Sequence, residues 1–314
     1  MIGRPLAATG AAFNRLPANI RGALWVILSA FLLTVMGAMV KDMARDIHSF
    51  QVVFFRCLIG AIALVPFIFR AGTNALKTKR PFLLLARTLV GTLGMFCVFY
   101  SFQNMPLAEA VAIIFSRPLF AVFLAIPFLG EVVGWRRMLA AFVGFAGILI
   151  MVRPGTAAFQ PVALVALLGA FTAGAIAIII KQLSKTESTT TIVIWFAITG
   201  AIVSAIPAMT VWVWPTPEQW LWLTAIGVIG IAGQAALTRG FGTGETSFVT
   251  PFDYSRLIFA TVFGIMVFSE MPDFWKAAGA VVIVGSGYYI ARREMAIARE
   301  KKKRAAAVQG GTAP

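Results

Sequence analysis

The chain has 314 residues, 60% of them hydrophobic and only 12% charged, with a mean hydropathy of +0.87. Soluble domains average roughly 45–50% apolar and about 25% charged residues, so a soluble globular protein is excluded. The net charge of +15 lies in short connections and the two ends rather than on one face. That argues against a nucleic-acid partner and fits cationic loops on the cytoplasmic side of a membrane.

Apolar residues come in blocks of about 20, the length needed to cross ~30 Å of hydrocarbon at ~1.5 Å per residue. In chain order the pattern predicts ten spans, at 22–40, 50–69, 82–102, 107–129, 136–152, 161–180, 190–210, 218–238, 246–268 and 274–291. A segment 1–21 with Arg4, Arg15 and Arg21 precedes the first span. No small-residue cleavage pattern follows that span, so it reads as a retained helix rather than a signal peptide. The connections are short, which predicts one compact bundle. After 291 comes a basic tail, 292–314, read as a frayed, solvated end positioned to touch anionic lipid.

Lys and Arg set the sidedness. Arg70, Lys77, Lys79, Arg80, Arg136, Arg137, Lys181, Lys185, Arg239 and both ends fall on one side, against Lys41, Arg45, Arg153 and Lys276 on the other. The richer side is the cytoplasmic one, so both termini are expected inside. Trp212, Trp214, Trp220 and Trp222 flank the outer connection between spans seven and eight, as an interfacial belt would. Cys57 and Cys97 both lie in apolar segments and imply neither a disulfide framework nor a metal site. His48 is the one histidine, and no serine or cysteine has a base beside it, so no catalytic set and no cofactor are expected. The run Gly240, Gly242, Gly244 lacks a preceding strand and is not read as a phosphate loop.

The chain repeats itself. Shifted by 140 places, Ala23-Leu24 falls on Ala163-Leu164, Lys41 on Lys181 and Gly60-Ala61-Ile62 on Gly200-Ala201-Ile202. At 139, Gly91 and Gly94 meet Gly230 and Gly233, Ser116-Arg117 meets Ser255-Arg256 and Glu131 meets Glu270. Each half, 22–152 and 161–291, holds five spans. An odd number predicts that the second copy is inverted, with a site near the midplane between the copies. The fold class expected is an all-α polytopic membrane protein of ten transmembrane helices in two inverted five-helix repeats.

Charges inside spans mark the candidate site. Arg56 and Arg87 lie about two turns from their helix ends, where snorkelling to water competes with a functional role. Arg117 and Arg256 lie deeper and are the lead candidates for substrate binding or gating. Asp253 precedes Arg256 by three positions and shares its helical face, either as an internal ion pair or as the group that couples transport to a proton. Its counterpart in the first half is Ile114. Phe115, Tyr254, Tyr100, Trp195, Phe196 and Gln234 are candidates to surround the substrate, with the aromatic rings able to stack on a planar group, and Ser116 and Ser255 flank the arginines. Pro118, Pro207 and Pro251 are placed to bend helices and open backbone groups to a cavity. Gly227, Gly230 and Gly233 read as packing positions.

Two five-span halves, each with a Gly130-Glu131 or Ser269-Glu270 step before a Gly-rich helix, resemble the EamA-type drug/metabolite transporters over about 20–292. His48-Ser49-Phe50, Phe54-Phe55-Arg56, Arg80-Pro81-Phe82 and Val143-Gly144-Phe145 are similar to the branch containing S-adenosylmethionine and riboflavin carriers. The resemblance implies a secondary carrier in a bacterial inner membrane. Its partners would be the lipid bilayer and a small-molecule substrate held in a central cavity between the halves. An arginine-aromatic cavity and the Ala/Gly/Arg-rich composition favour riboflavin uptake, with S-adenosylmethionine or an amino acid as alternatives. A membrane-embedded enzyme or accessory subunit is the reading from another class.

Overall fold

The computed structural model describes residues 16–71, 77–129, 135–183, 185–187, 189–243 and 252–310. Every regular element among them is helical: α1 (Ala18–Asp42), α2 (Ser49–Ala71), α3 (Pro81–Asn104), α4 (Leu107–Ile114), α5 (Arg117–Leu129), α6 (Trp135–Val152), α7 (Val162–Leu183), α8 (Thr189–Thr210), α9 (Pro217–Thr243), α10 (Ser255–Phe268) and α11 (Phe274–Gly310). Seven stretches are long and apolar enough to cross a membrane, one of them the α4–α5 pair. Ser49–Ala63, Met138–Val152 and Ser255–Phe268 are shorter apolar helices. The chain is a multi-pass membrane protein.

Local sequence explains where helices begin and end. Pro81 and Pro217 open α3 and α9 at the position where a missing N–H costs nothing. Ser269 ends α10 in the left-handed region (φ 56°), and the N–H groups of Ser269 and Glu270 return to the carbonyls of Ile265 and Gly264 at 3.2 and 2.8 Å. The Trp-rich connection before α9 is held by Gln51, whose amide clasps both backbone groups of Val213 at 2.6 and 3.1 Å. Trp212 and Trp220 stack on Phe55 rather than standing free.

The packing carries the repeat. The extensive pairings are α1 with α9, α3 with α7, α2 with α8 and α6 with α11. The shift relating the halves carries α1 to α7, α2 to α8, α3 to α9 and α6 to α11. The α1–α9 pairing therefore maps onto α7–α3, and the other two map onto themselves, as they must about a two-fold axis. Small residues permit the close crossings: a Cβ on Gly279 would lie 2.7 Å from the Gly147 carbonyl oxygen. Lys41, at the end of α1, donates to the Met105 carbonyl beyond one end of α3. Leu183, at the equivalent end of α7, packs on Leu84 near the other end of α3. At ~1.5 Å per residue α3 is about 36 Å long, so equivalent positions sit on opposite sides of the bundle. One core joins both halves, with Phe55, Leu107, Ile113 and Leu119 against Leu223, Ile226 and Ile283.

Three expectations change. The predicted span 107–129 is two helices broken at Phe115-Ser116, and Pro118 stands in the first turn of α5 rather than kinking a continuous helix. The last helix continues through the basic segment to Gly310, where a frayed end had been expected. Gly240 and Gly242 lie within α9, which excludes a glycine loop there. Gly130, Glu131, Gly244 and Pro251 lie outside the described residues.

Candidate functional site

The break between α4 and α5 meets a second one, where helical Phe252 and Asp253 give way to a turn at Tyr254 before α10. In the first half the Ser116 hydroxyl donates to the Ile113 carbonyl at 2.6 Å, and in the second Ser255 donates to Phe252 at 2.6 Å. Each serine hydroxyl thus turns back onto a backbone carbonyl three residues earlier, which assigns both hydroxyls to the backbone rather than to a ligand. Just before the breaks Phe115 and Tyr254 lie ring against ring, centroids 4.9 Å apart.

Immediately after the breaks come the arginines. Asp253, buried to 4% exposure, accepts from Arg117 at 3.0 Å and from Arg256 at 3.1 Å. The pair within one helix was legible from spacing; the bond from Arg117 was not, because it joins the halves. One carboxylate therefore holds two guanidinium groups, leaving one net positive charge at the junction. Both arginines line a cavity of about 90 Å³ with Thr34 and Gly37 of α1, Phe102 of α3, and Val111 and Phe115. Binding sites for organic ligands run roughly 300–1,000 Å³, so the cavity must widen to admit one.

Above it the bundle is closed by charge. Lys41 pairs with Glu270 at 2.7 Å, and Glu270 also accepts the Leu107 N–H at 3.0 Å. Glu109 pairs with Lys276 at 2.6 Å, and Arg153 pairs with Asp273. Each pair joins a residue of the first half to one of the second. In the connection before α11, the Lys276 backbone N–H, at 2.8 Å, and then the Arg153 side chain hold the Asp273 carboxyl below its usual range.

The remaining candidates go elsewhere. Trp195 packs near Leu84, Leu183 and Ile192 at the far end of the bundle. Gln234 is exposed on α9, and Tyr100, half-buried on α3, does not line the cavity. Phe196 meets an arginine, but it is Arg87, whose guanidinium lies 3.6 Å from the ring centroid. Arg56 and Arg87 do not snorkel: Nε of each, and Nη1 of Arg87, are buried without a hydrogen-bond partner. Among the described residues no metal-binding group of His, Cys, Asp and Glu is assembled.

Comparison with known proteins agrees with this architecture. Residues 20–153 and 160–292 each match the EamA-like transporter family. An S-adenosylmethionine uptake transporter of Rickettsia prowazekii is 32% identical over 277 residues, covering 88% of this chain and 94% of the relative. A pseudopaline exporter of Pseudomonas aeruginosa is 34% identical over 266 residues, 84% and 93% of the two chains. A riboflavin transporter of Rhizobium johnstonii is 27% identical over 284 residues, 90% and 93%. A crystal structure at 22% identity shares the fold with a TM-score of 0.56, covering 87% of this chain and 98% of the other. With both halves matched and relatives above 30% identity along most of the chain, the protein belongs to the EamA-like transporter family.

Proposed function

We propose that the protein is a secondary carrier of a small organic metabolite, working by alternating access between two inverted halves in a bacterial inner membrane. The reading takes ten crossings, the seven long stretches and three shorter helices together, with both termini cytoplasmic. The observation that carries it is the junction itself: two broken helices, one from each half, meet at an aspartate that both their arginines bind. Broken helices facing each other near the midplane are how carriers expose polar groups to a cavity without leaving backbone open to lipid.

In this state the end bearing Lys41 is outward by the distribution of Lys and Arg, and the three ion pairs close it. Rocking the halves apart breaks those pairs and widens the cavity below. Relatives named for S-adenosylmethionine are more similar to this chain than those named for riboflavin, which favours the former over the riboflavin expected from the cavity-forming residues. Arg117 and Arg256 orient polar groups of the substrate, Phe115 and Tyr254 pack against it, and Asp253 is the group that exchanges with a proton or a cation.

The test is uptake and counterflow of labelled S-adenosylmethionine and of riboflavin in proteoliposomes. Arg117→Ala and Arg256→Ala should abolish movement of the transported compound by at least tenfold while the proteins still insert. Normal transport by both variants overturns the assignment of the site, and modification of lipid without movement of any solute overturns the carrier reading.

A further inference from the structure

A second pair of arginines stands apart from the junction, and among the described residues no acid pairs with either. Arg56 comes from α2 and Arg87 from α3, both in the first half, and both face helices of the second half. Among the described residues Arg56 donates from Nη1 to the Met95 thioether at 3.5 Å, a weak acceptor. Arg87 lies flat on Phe196 at 3.6 Å, so its ring face is satisfied while Nε and Nη1 are not. Among the described residues neither makes an ion pair. Cys57 lies within electrostatic reach of both guanidinium groups.

Two observations make this a built site rather than stray charge. The first is room made for the guanidiniums: a Cβ on Gly230 would lie 3.3 Å from Arg56 Nε, and one on Gly91 would lie 3.0 Å from the Phe196 ring and 3.4 Å from Arg87 Nη1. The second is symmetry. The 140-place shift that lays Gly60 on Gly200 lays Arg56 on Phe196, and the 139-place shift lays Gly91 on Gly230. The contact of Arg56 with Gly230 and that of Phe196 with Gly91 are therefore one contact seen from the two halves, with a cation on one side and an aromatic platform on the other. Two uncompensated cations inside membrane-spanning helices are costly. A ligand anion would remove that cost, and guanidinium matches a carboxylate with paired N–H donors.

We infer that Arg56 and Arg87, with Phe196 as platform, form an anion site for the carboxylate of the transported metabolite. The inference rests on the carrier reading and narrows it: a substrate with a carboxylate is taken in preference to an uncharged one.

Thiol chemistry at Cys57 tests it without relying on transport. In a Cys97→Ala background Cys57 is the sole cysteine, and its modification can be timed with the anionic sulfonatoethyl and the cationic trimethylammonioethyl methanethiosulfonates. Relative to a free thiol, the anionic reagent should gain at least tenfold over the cationic one, and Arg56→Gln or Arg87→Gln should erase most of the gain. S-adenosylmethionine, histidine and citrate are then compared with decarboxylated S-adenosylmethionine, histidinamide and citramide as protectants. At least one acid should slow modification, and its uncarboxylated partner should not. The inference is overturned by a charge ratio equal to that of a free thiol, by no reaction with either reagent, by equal protection from acid and partner, or by protection from chloride alone. Solute movement in proteoliposomes, scored separately on the protein without substitutions, tells failure of this site from failure of the carrier reading.

Discussion

Removing the shared carboxylate at the junction tests the central geometry most directly. In Asp253→Asn the two guanidinium groups lose the one acceptor between them. Breaking a buried pair by deleting one partner costs ~3–5 kcal/mol, because the other charge stays buried and uncompensated. The two arginines differ in how far that applies: the Arg256 side chain is 18% exposed and the Arg117 side chain 42%. Water reaching Arg117 brings its pairing toward the ~1 kcal/mol or less of exposed ion pairs. Asp253→Asn should therefore cost ~3 kcal/mol, most of it through Arg256. A double-mutant cycle resolves the two terms, pairing Asp253→Asn with Arg256→Met and separately with Arg117→Met. Unfolding free energies in bicelles supply the readout. The coupling to Arg256 should be ~2 kcal/mol and that to Arg117 about 1 kcal/mol or less. A cost below about 1 kcal/mol for Asp253→Asn, or a larger coupling to Arg117 than to Arg256, would refute the geometry, since either means the carboxylate is solvated or held by another group.

Glu270→Gln should loosen the end closed by Lys41, so that a Thr34→Cys thiol in the cavity reacts about tenfold faster with an impermeant maleimide added from that side, equivalent to ~1.4 kcal/mol; an unchanged rate would count against the three pairs as a closure. Gly279→Ala places a Cβ 2.7 Å from one backbone atom and 2.8 Å from another, so α6 and α11 must separate, and stability in detergent should fall by ~2–3 kcal/mol; a neutral result would mean that the crossing is looser than described. Because Asp273 is held below its unfolded pKa of about 3.9, its contribution is complete above that value and is lost as pH falls through the lower folded value. With its side chain 44% exposed, the contribution is under about 1 kcal/mol. The melting-temperature gap between the parent and Asp273→Asn should be small at pH 7 and close in acid below pH ~4; a gap that widens there would reverse the sign.

Much of the architecture was legible because membrane crossing imposes two strong patterns. Apolar length fixed where helices run to within a few residues: 22–40 against Ala18–Asp42, 82–102 against Pro81–Asn104. The repeat added which helices are equivalent, and the packing pairs respect that equivalence. What hydropathy could not see was the break at Phe115-Ser116, since both residues suit an apolar helix; the local signal for it is Pro118, which has no N–H to give the Ile114 carbonyl. Spacing found Asp253 with Arg256 because they lie three apart on one helix. It could not find Arg117 with Asp253, separated by 136 residues. Trp195 and Gln234 failed to join the site for a related reason: a residue type suited to a cavity says nothing about which face of its helix meets one. Phe196 was a candidate by residue type alone, and the shift that pairs Gly60 with Gly200 adds that it is the counterpart of Arg56.

Where the halves agree and where they differ separates the scaffold from the chemistry. Residues that recur are those that let helices break and cross: serines that turn back onto a backbone carbonyl at each break, glycines that admit a neighbour, and arginines that meet on one carboxylate. The closing pair also has a counterpart in sequence, Lys41 falling on Lys181 at 140 places and Glu270 on Glu131 at 139. Residues that do not recur include those of both proposed ligand sites: Asp253 opposite Ile114, and Arg56 opposite Phe196. A strictly symmetric site would favour a symmetric ligand. Most small metabolites have one charged end and one apolar end, and a duplicated scaffold can grip such a molecule only by giving its two halves different side chains at equivalent positions.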